Sequence, residues 1–139
     1  MSLLRVLDVS ATGMSAQSLR LNTTASNLAN ANSVSSNRED TYKARHPVFA
    51  AELNRAKGGL GSSIGVKVQG IVESVAPLNQ EYAPNHPKSD EKGFIYHSNV
   101  NVMEEMANMI SASRSYETNV QIADAAKQML SRTLQMGKS

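Results

Sequence analysis

The sequence predicts a mainly α protein, with two long terminal helices forming a coiled-coil-like pair and a short β-hairpin or meander inserted between them. Three observations lead to this. All four prolines lie between Pro47 and Pro87, and six of the eight glycines lie between Gly58 and Gly93, so helix breakers are confined to the middle. Both ends carry apolar residues at a spacing of seven, the repeat that helix pairing requires. The middle instead holds an alternating run, which is the period of a strand. The chain therefore divides into an N-terminal helical segment at 1–33, a β-containing insertion at 34–98 and a C-terminal helical segment at 99–139.

The first helix is expected from about Leu3 to Asn32. Leu7, Met14, Leu21 and Leu28 form its leading series, and Leu4, Ala11, Ser18 and Ala25 a second one. Together they make a narrow apolar stripe. At 1.5 Å per residue the helix is roughly 45 Å long. Its remaining surface is rich in Ser, Thr, Asn and Gln, whose short side chains compete for backbone hydrogen bonds. Such a helix is expected to order only when packed. Ser26-Asn-Leu-Ala-Asn-Ala-Asn-Ser33 is unusual within it. Either this is a fraying last turn with Asn32 as a left-handed cap, or Asn27 and Asn30 hydrogen-bond across a helix–helix contact and fix its register.

The second helix is expected from about Val102 to Met136. Asn101 is its N-cap, Glu104 sits at the capping-box position, and Glu104 and Glu105 suit the positive end of the helix dipole. Val102, Met109, Tyr116, Ala123 and Leu130 form one series, while Met106, Ser113, Val120 and Leu134 belong to a second. Gly137 ends the helix. In the middle, Gly65 to Val75 alternates up to Gly70 and then shifts phase, a strand with a bulge or bend. Phe94-Ile-Tyr96 is a second strand, and Pro84-Asn-His-Pro87 with Ser89-Asp90 a turn-rich loop. Asn37 to Asp40 and Lys57 to Ser63 read as loops.

Composition narrows the function. The chain has no Trp, only two Phe and four Tyr, so the residues that usually supply most buried area are scarce. A slender core points to stability taken from neighbours. The formal net charge is +2, without long runs of one sign, which argues against a nucleic-acid arm. There is no Cys, so disulfides and thiolate metal sites are excluded. Apolar stretches such as Val48 to Ala51 are too short to span a bilayer. Asp8, Ser10 and Thr12 interrupt any secretory h-region, so if the protein leaves the cytoplasm it does so by a route that does not read a cleaved signal.

Catalytic patterns fare poorly. His46, His86 and His97 lack helical partners at metal-ligand spacing. No serine sits in a nucleophile elbow. Gly58-Gly-Leu-Gly61 lacks the Lys-Ser/Thr of a phosphate loop. Glu104 and Glu105 point about 100° apart, so they do not share a site. Met103, Met106 and Met109 read as core fillers. Lys43, Arg45, Lys57 and Lys67 lack interleaved aromatics and read as solvated surface. The expectation is a protein that is not an enzyme and holds no cofactor and no metal. Its expected assembly interface is Leu7, Met14, Leu21, Asn27, Leu28, Asn30, Val102, Met106, Met109, Tyr116, Val120 and Leu130.

Ala11-Thr-Gly-Met-Ser-Ala-Gln17, Leu21 and Ser26-Asn-Leu-Ala-Asn-Ala-Asn32 resemble the N-terminal signature of flagellar rod and hook proteins. Asn99-Val-Asn-Val-Met-Glu-Glu-Met-Ala-Asn-Met-Ile110 and Ser113-Arg-Ser-Tyr-Glu117 resemble that family's C-terminal signature. Gly65-Val-Lys-Val68, Tyr82-Ala-Pro-Asn-His-Pro87 and Gly93-Phe-Ile-Tyr96 are similar to a short proximal-rod branch. Asn101 stands where the family often has Asp, a change that preserves capping.

The resemblance implies export unfolded through the flagellar type III apparatus. It also implies assembly in the periplasm into a hollow helical tube with the terminal helices in its inner layers, and transmission of torque to the hook. The implied partners are further copies of the chain, other rod proteins and the basal-body base, with no nucleic acid and no direct membrane insertion. The competing expectation is a soluble coiled-coil binding module or an export chaperone.

Overall fold

A computed structural model describes residues 3–54 and 63–137. It contains two long helices with strands between them, in the order α1 (Leu3–Ala29), β1 (Val34–Ser35), β2 (Arg45–Asn54), β3 (Ser63–Glu73), β4 (Asn79–Tyr82), β5 (Phe94–His97) and α2 (Val102–Met136). Two expected elements are confirmed closely. α2 has the predicted bounds, and Asn101 caps it: its Oδ1 accepts from the Met103 and Glu104 amides at 3.1 and 3.4 Å. α1 stops at Ala29, earlier than the stripe suggested, because Asn30 turns back on the helix and its Nδ2 donates to the Ser26 carbonyl at 2.8 Å. No non-glycine residue among those described has positive φ, so Asn32 is not a left-handed cap.

The middle holds more β structure than a hairpin or meander, and the fold is mixed α and β. β2 and β3 form a two-stranded sheet of ten- and eleven-residue strands. A separate three-stranded sheet has the order β1-β5-β4, with both pairings antiparallel. β5 is the predicted Phe94 strand. β1, β2 and β4 were not predicted, and each has a reason. β1 has only two residues. Pro47 lies in β2, where a missing N–H usually counts against a strand. β4 is exposed at all four residues and has no apolar alternation. The loop expected at Lys57 to Ser63 lies outside the described residues except for Ser63, which begins β3.

The turn between β4 and β5 is fixed by Asp90 and Gly93. Asp90 Oδ1 accepts from the Lys92 and Phe94 amides at 2.9 and 2.8 Å. Gly93 has φ of +82°, and a Cβ there would lie 2.9 Å from Tyr82 and 3.1 Å from the Pro84 ring. Tyr82 packs edge-on against Phe94, with ring centroids 5.2 Å apart. Gly93→Ala combines a left-handed backbone with a clash against a stiff ring. It should cost about 1–2 kcal/mol, read as a lowered urea midpoint; an unchanged midpoint would contradict this geometry.

The residues group into two compact units. The first comprises Met1–Leu19, Val48–Gly70 and Ser111–Ser139; the second comprises Arg20–Pro47 and Ile71–Ile110. Each draws on both terminal segments and on the middle. The buried apolar side chains are Ala16, Ala112 and Ala126 in the first unit, and Ala44 and Ile95 in the second. Among the described residues only Ile95 of these is larger than alanine, which is a slender apolar core in each unit.

Candidate assembly interface

In the first unit, the helical positions that disappear from solvent are small. Ser10, Ala16, Ala112 and Ala126 are buried. A Cβ on Gly13 would meet the Asn119 side chain at 3.0 Å. Ala112, Asn119 and Ala126 are spaced by seven, so the helical repeat is present, but in a different frame from the one expected. Small residues let helix axes approach closely, and the large side chains are displaced to the flanks. Thr12 ties β3 to α1, because its Oγ1 accepts from the Val66 amide at 3.2 Å and donates to the Val9 carbonyl at 2.8 Å.

In the second unit the buried helical positions are mostly polar: Thr23, Thr24, Asn27 and Glu105. Arg20 donates to Asn108 Oδ1 at 2.8 Å. Asn27 is fully buried, and its partners are not on a second helix, so the helix-bridging alternative is not realised at this residue. Its Nδ2 donates to the Arg45 carbonyl at 2.8 Å, and its Oδ1 accepts from the Arg45 amide and the Tyr42 hydroxyl, both at 2.9 Å. The side-chain amide thus pairs with β2 as a neighbouring strand would. Asn99 does similar work. Its Oδ1 accepts from the Ala44 amide and its Nδ2 donates to the Ala76 carbonyl, both at 2.8 Å. Sequence reasoning missed Asn99, although its place just ahead of the α2 cap was a usable signal.

The expected interface residues sort by exposure. Leu7, Met14, Leu21 and Leu28 are half-buried, as are Met109, Val120, Leu130 and Asn30. Val102, Met106 and Tyr116 are exposed, alongside Leu4, Met103, Ile110, Ile122 and Leu134. Large apolar side chains therefore keep much of their surface in water, while alanines and short polar residues take the interior. Burying a large side chain contributes about 1.5–3 kcal/mol, and a single copy leaves most of that unrealised.

Each histidine has a polar neighbour, whereas the buried Glu105 carboxylate keeps its Oε2 without a hydrogen-bond partner among the described residues. His97 Nε2 lies 2.8 Å from Glu81 Oε2, and His86 Nδ1 accepts from the Lys88 amide at 3.1 Å. His46 Nδ1 is 3.9 Å from Glu105 Oε1. Among the described residues there is no cluster of three metal-binding side chains, and no helix is long and apolar enough to cross a membrane.

Residues 7–35 match the family model "Flagella basal body rod protein", and residues 91–136 match "Flagellar basal body rod FlgEFG protein C-terminal". The flagellar basal-body rod protein FlgC of Escherichia coli O6:H1 is 43% identical over 99% of this chain and all of its own length. The chain belongs to the FlgC family of flagellar basal-body rod proteins. FlgC of Salmonella typhimurium is 41% identical over 99% of the chain and all of its own, and FlgC of Borreliella burgdorferi 35% over 96% and 97%. As a FlgC-type protein the chain is a structural subunit of the flagellar rod. The two family models cover most of α1 with β1, and β5 with α2, stretches that hold Asn27, Asn99 and most of the helical series.

Proposed function

We propose that this subunit builds the proximal rod as a hollow helical tube through its two terminal helices, and that the tube carries torque. The observation that carries this reading is the inversion of the core, with alanines inside and leucines and methionines half-buried or exposed. Flagellar membership supplies the setting, and the exposed apolar residues supply the contacts. The proposed contact residues between copies are Leu7, Met14, Leu21 and Leu28 on α1, with Val102, Met106, Met109, Tyr116, Val120 and Leu130 on α2. Asn27 is left out, because its amide is spent within the copy, while Asn30, which donates once to the Ser26 carbonyl, stays among the proposed contacts.

The helices form a coiled-coil-like pair in this reading, supported in the first unit by the approach of Gly13 to Asn119 and, separately, in the second by the bond from Arg20 to Asn108. A contact repeated by a rotation and a rise closes no ring and extends as a tube. Close-packed contacts deform little, which suits torque. The chain crosses the inner membrane through the flagellar type III apparatus, works in the periplasm alongside other rod proteins, and performs no catalysis. An epitope-tagged copy should restore motility to a strain lacking its FlgC and co-purify with basal bodies. A copy that restores nothing and stays in the cytoplasm would sink the proposal.

A further inference from the structure

We propose that Asn119, lying flat on Gly13, is the register key of the terminal helices in the first unit. It selects one alignment of α1 along α2 and so fixes where the contacts between copies fall. This deepens the assembly reading and rests on its helix pair. A Cβ built on Gly13 would meet Asn119 Nδ2 at 3.0 Å and its Cγ and Oδ1 both at 3.2 Å. The three nearest atoms belong to one amide group, so its plane lies face-on across the glycine. Rotation about the Cβ–Cγ bond of Asn119 would leave its Cγ in place, so only a larger movement could make room.

A key is needed because the rest of the seam repeats. Ala112, Asn119 and Ala126 are spaced by seven and lie within about 40° of one another round α2. Ala112 and Ala126 are both buried. A slip of seven residues, about 10 Å along the helix, would bring one of these alanines to the place Asn119 holds, with no loss of fit to Gly13. Small residues alone do not choose between such alignments. Asn119 does, because its side chain extends beyond Cβ. Gly13 is the only glycine in α1. Ser10 and Ala16, one turn to either side, are buried with a Cβ in place. In a slipped alignment Asn119 would meet a side chain instead of bare backbone. A glycine weakens a helix interior, and this close approach is what requires one at position 13. A single polar residue in a repeating seam fixes register in coiled coils in the same way.

The chain contains no cysteine, so spin labels can be placed at two exposed positions of the first unit, Ser15→Cys and Lys127→Cys. Pulsed electron paramagnetic resonance on the full-length chain should give one narrow distance with Asn119 in place. Asn119→Ala removes the key without a clash. It should add a second population displaced by up to about 10 Å and reduce swarming several-fold with export retained. A single unchanged distance in Asn119→Ala would overturn the register role while leaving the helix pair intact. A second population with full swarming would overturn its link to assembly. A broad distribution in the parent chain would overturn the paired helices and this inference with them. Urea unfolding adds a test of sign. Gly13→Ala should lower the midpoint when Asn119 is present and raise it in the Asn119→Ala background, where alanine's better helix propensity is free to act. The same sign in both backgrounds would overturn the fit between the two residues.

Discussion

Asn27→Ala should lower the stability of the folded subunit by about 2–4 kcal/mol, more than other single polar substitutions on the helices. The substitution removes three hydrogen bonds of 2.8–2.9 Å at a fully buried site. It also leaves the amide and carbonyl of Arg45 without those partners at the start of β2, and an orphaned buried group costs more than the bond it lost. Asn27→Asp should do comparable damage by a different route. The carboxylate still accepts, but it cannot donate to the Arg45 carbonyl, and it brings a charge into a buried polar site. Against a typical total of about 5–15 kcal/mol, a loss of this size is large. Urea unfolding of purified wild-type and variant chains measures it directly. A change below about 0.5 kcal/mol would show that the amide bridge does not hold α1 to the strand.

Leu21→Asp should abolish motility while leaving expression and export near normal. Leu21 is half-buried in its own copy, so its loss costs folding on the order of 1 kcal/mol. Assembly is hit harder. A carboxylate placed in a contact between copies must be desolvated without a partner, and the defect recurs in every copy of the tube. Swarming assays with immunoblots of the cellular and exported fractions separate the two effects. A motile Leu21→Asp strain would remove α1 from the interface, and loss of the chain from both fractions would reassign Leu21 to folding.

The elements with strong local rules were readable from the residues. α2 emerged with its bounds because Asn101 caps it, acids fill its first turn and no breaker interrupts it. β5 emerged because Phe94-Ile-Tyr96 is a short β-rich run between turns. The helix–helix seam was legible only in period. Apolar residues at a spacing of seven drew attention to Leu7, Met14, Leu21 and Leu28, but hydrophobicity does not distinguish a contact within a copy from one between copies. In the first unit the helical residues that vanish inside are Ser10, Ala16, Ala112 and Ala126, whose value lies in their small volume. Asn27 stood out by composition, yet its partner was unreadable, because that partner is backbone eighteen residues away. The same holds for Asn99, which reaches Ala44 and Ala76.

In the proposed assembly, the sparse core and the exposed apolar residues act together. A core of alanines and bridged asparagines is a modest investment of burial, so an isolated copy is held by few strong contacts. In that proposal, large apolar side chains kept at the surface add their stabilisation when copies meet. Folding and assembly then become linked equilibria, each favouring the other.

Electron cryomicroscopy of an isolated basal body, at a resolution that places side chains, tests the central claim most directly. The account predicts that Leu7, Met14, Leu21 and Leu28, with Val102, Met106 and Tyr116, lie against neighbouring subunits while Asn27 stays bonded to Arg45 within each copy. Terminal helices that face solvent, with copies joined through the β2–β3 sheet alone, would contradict it.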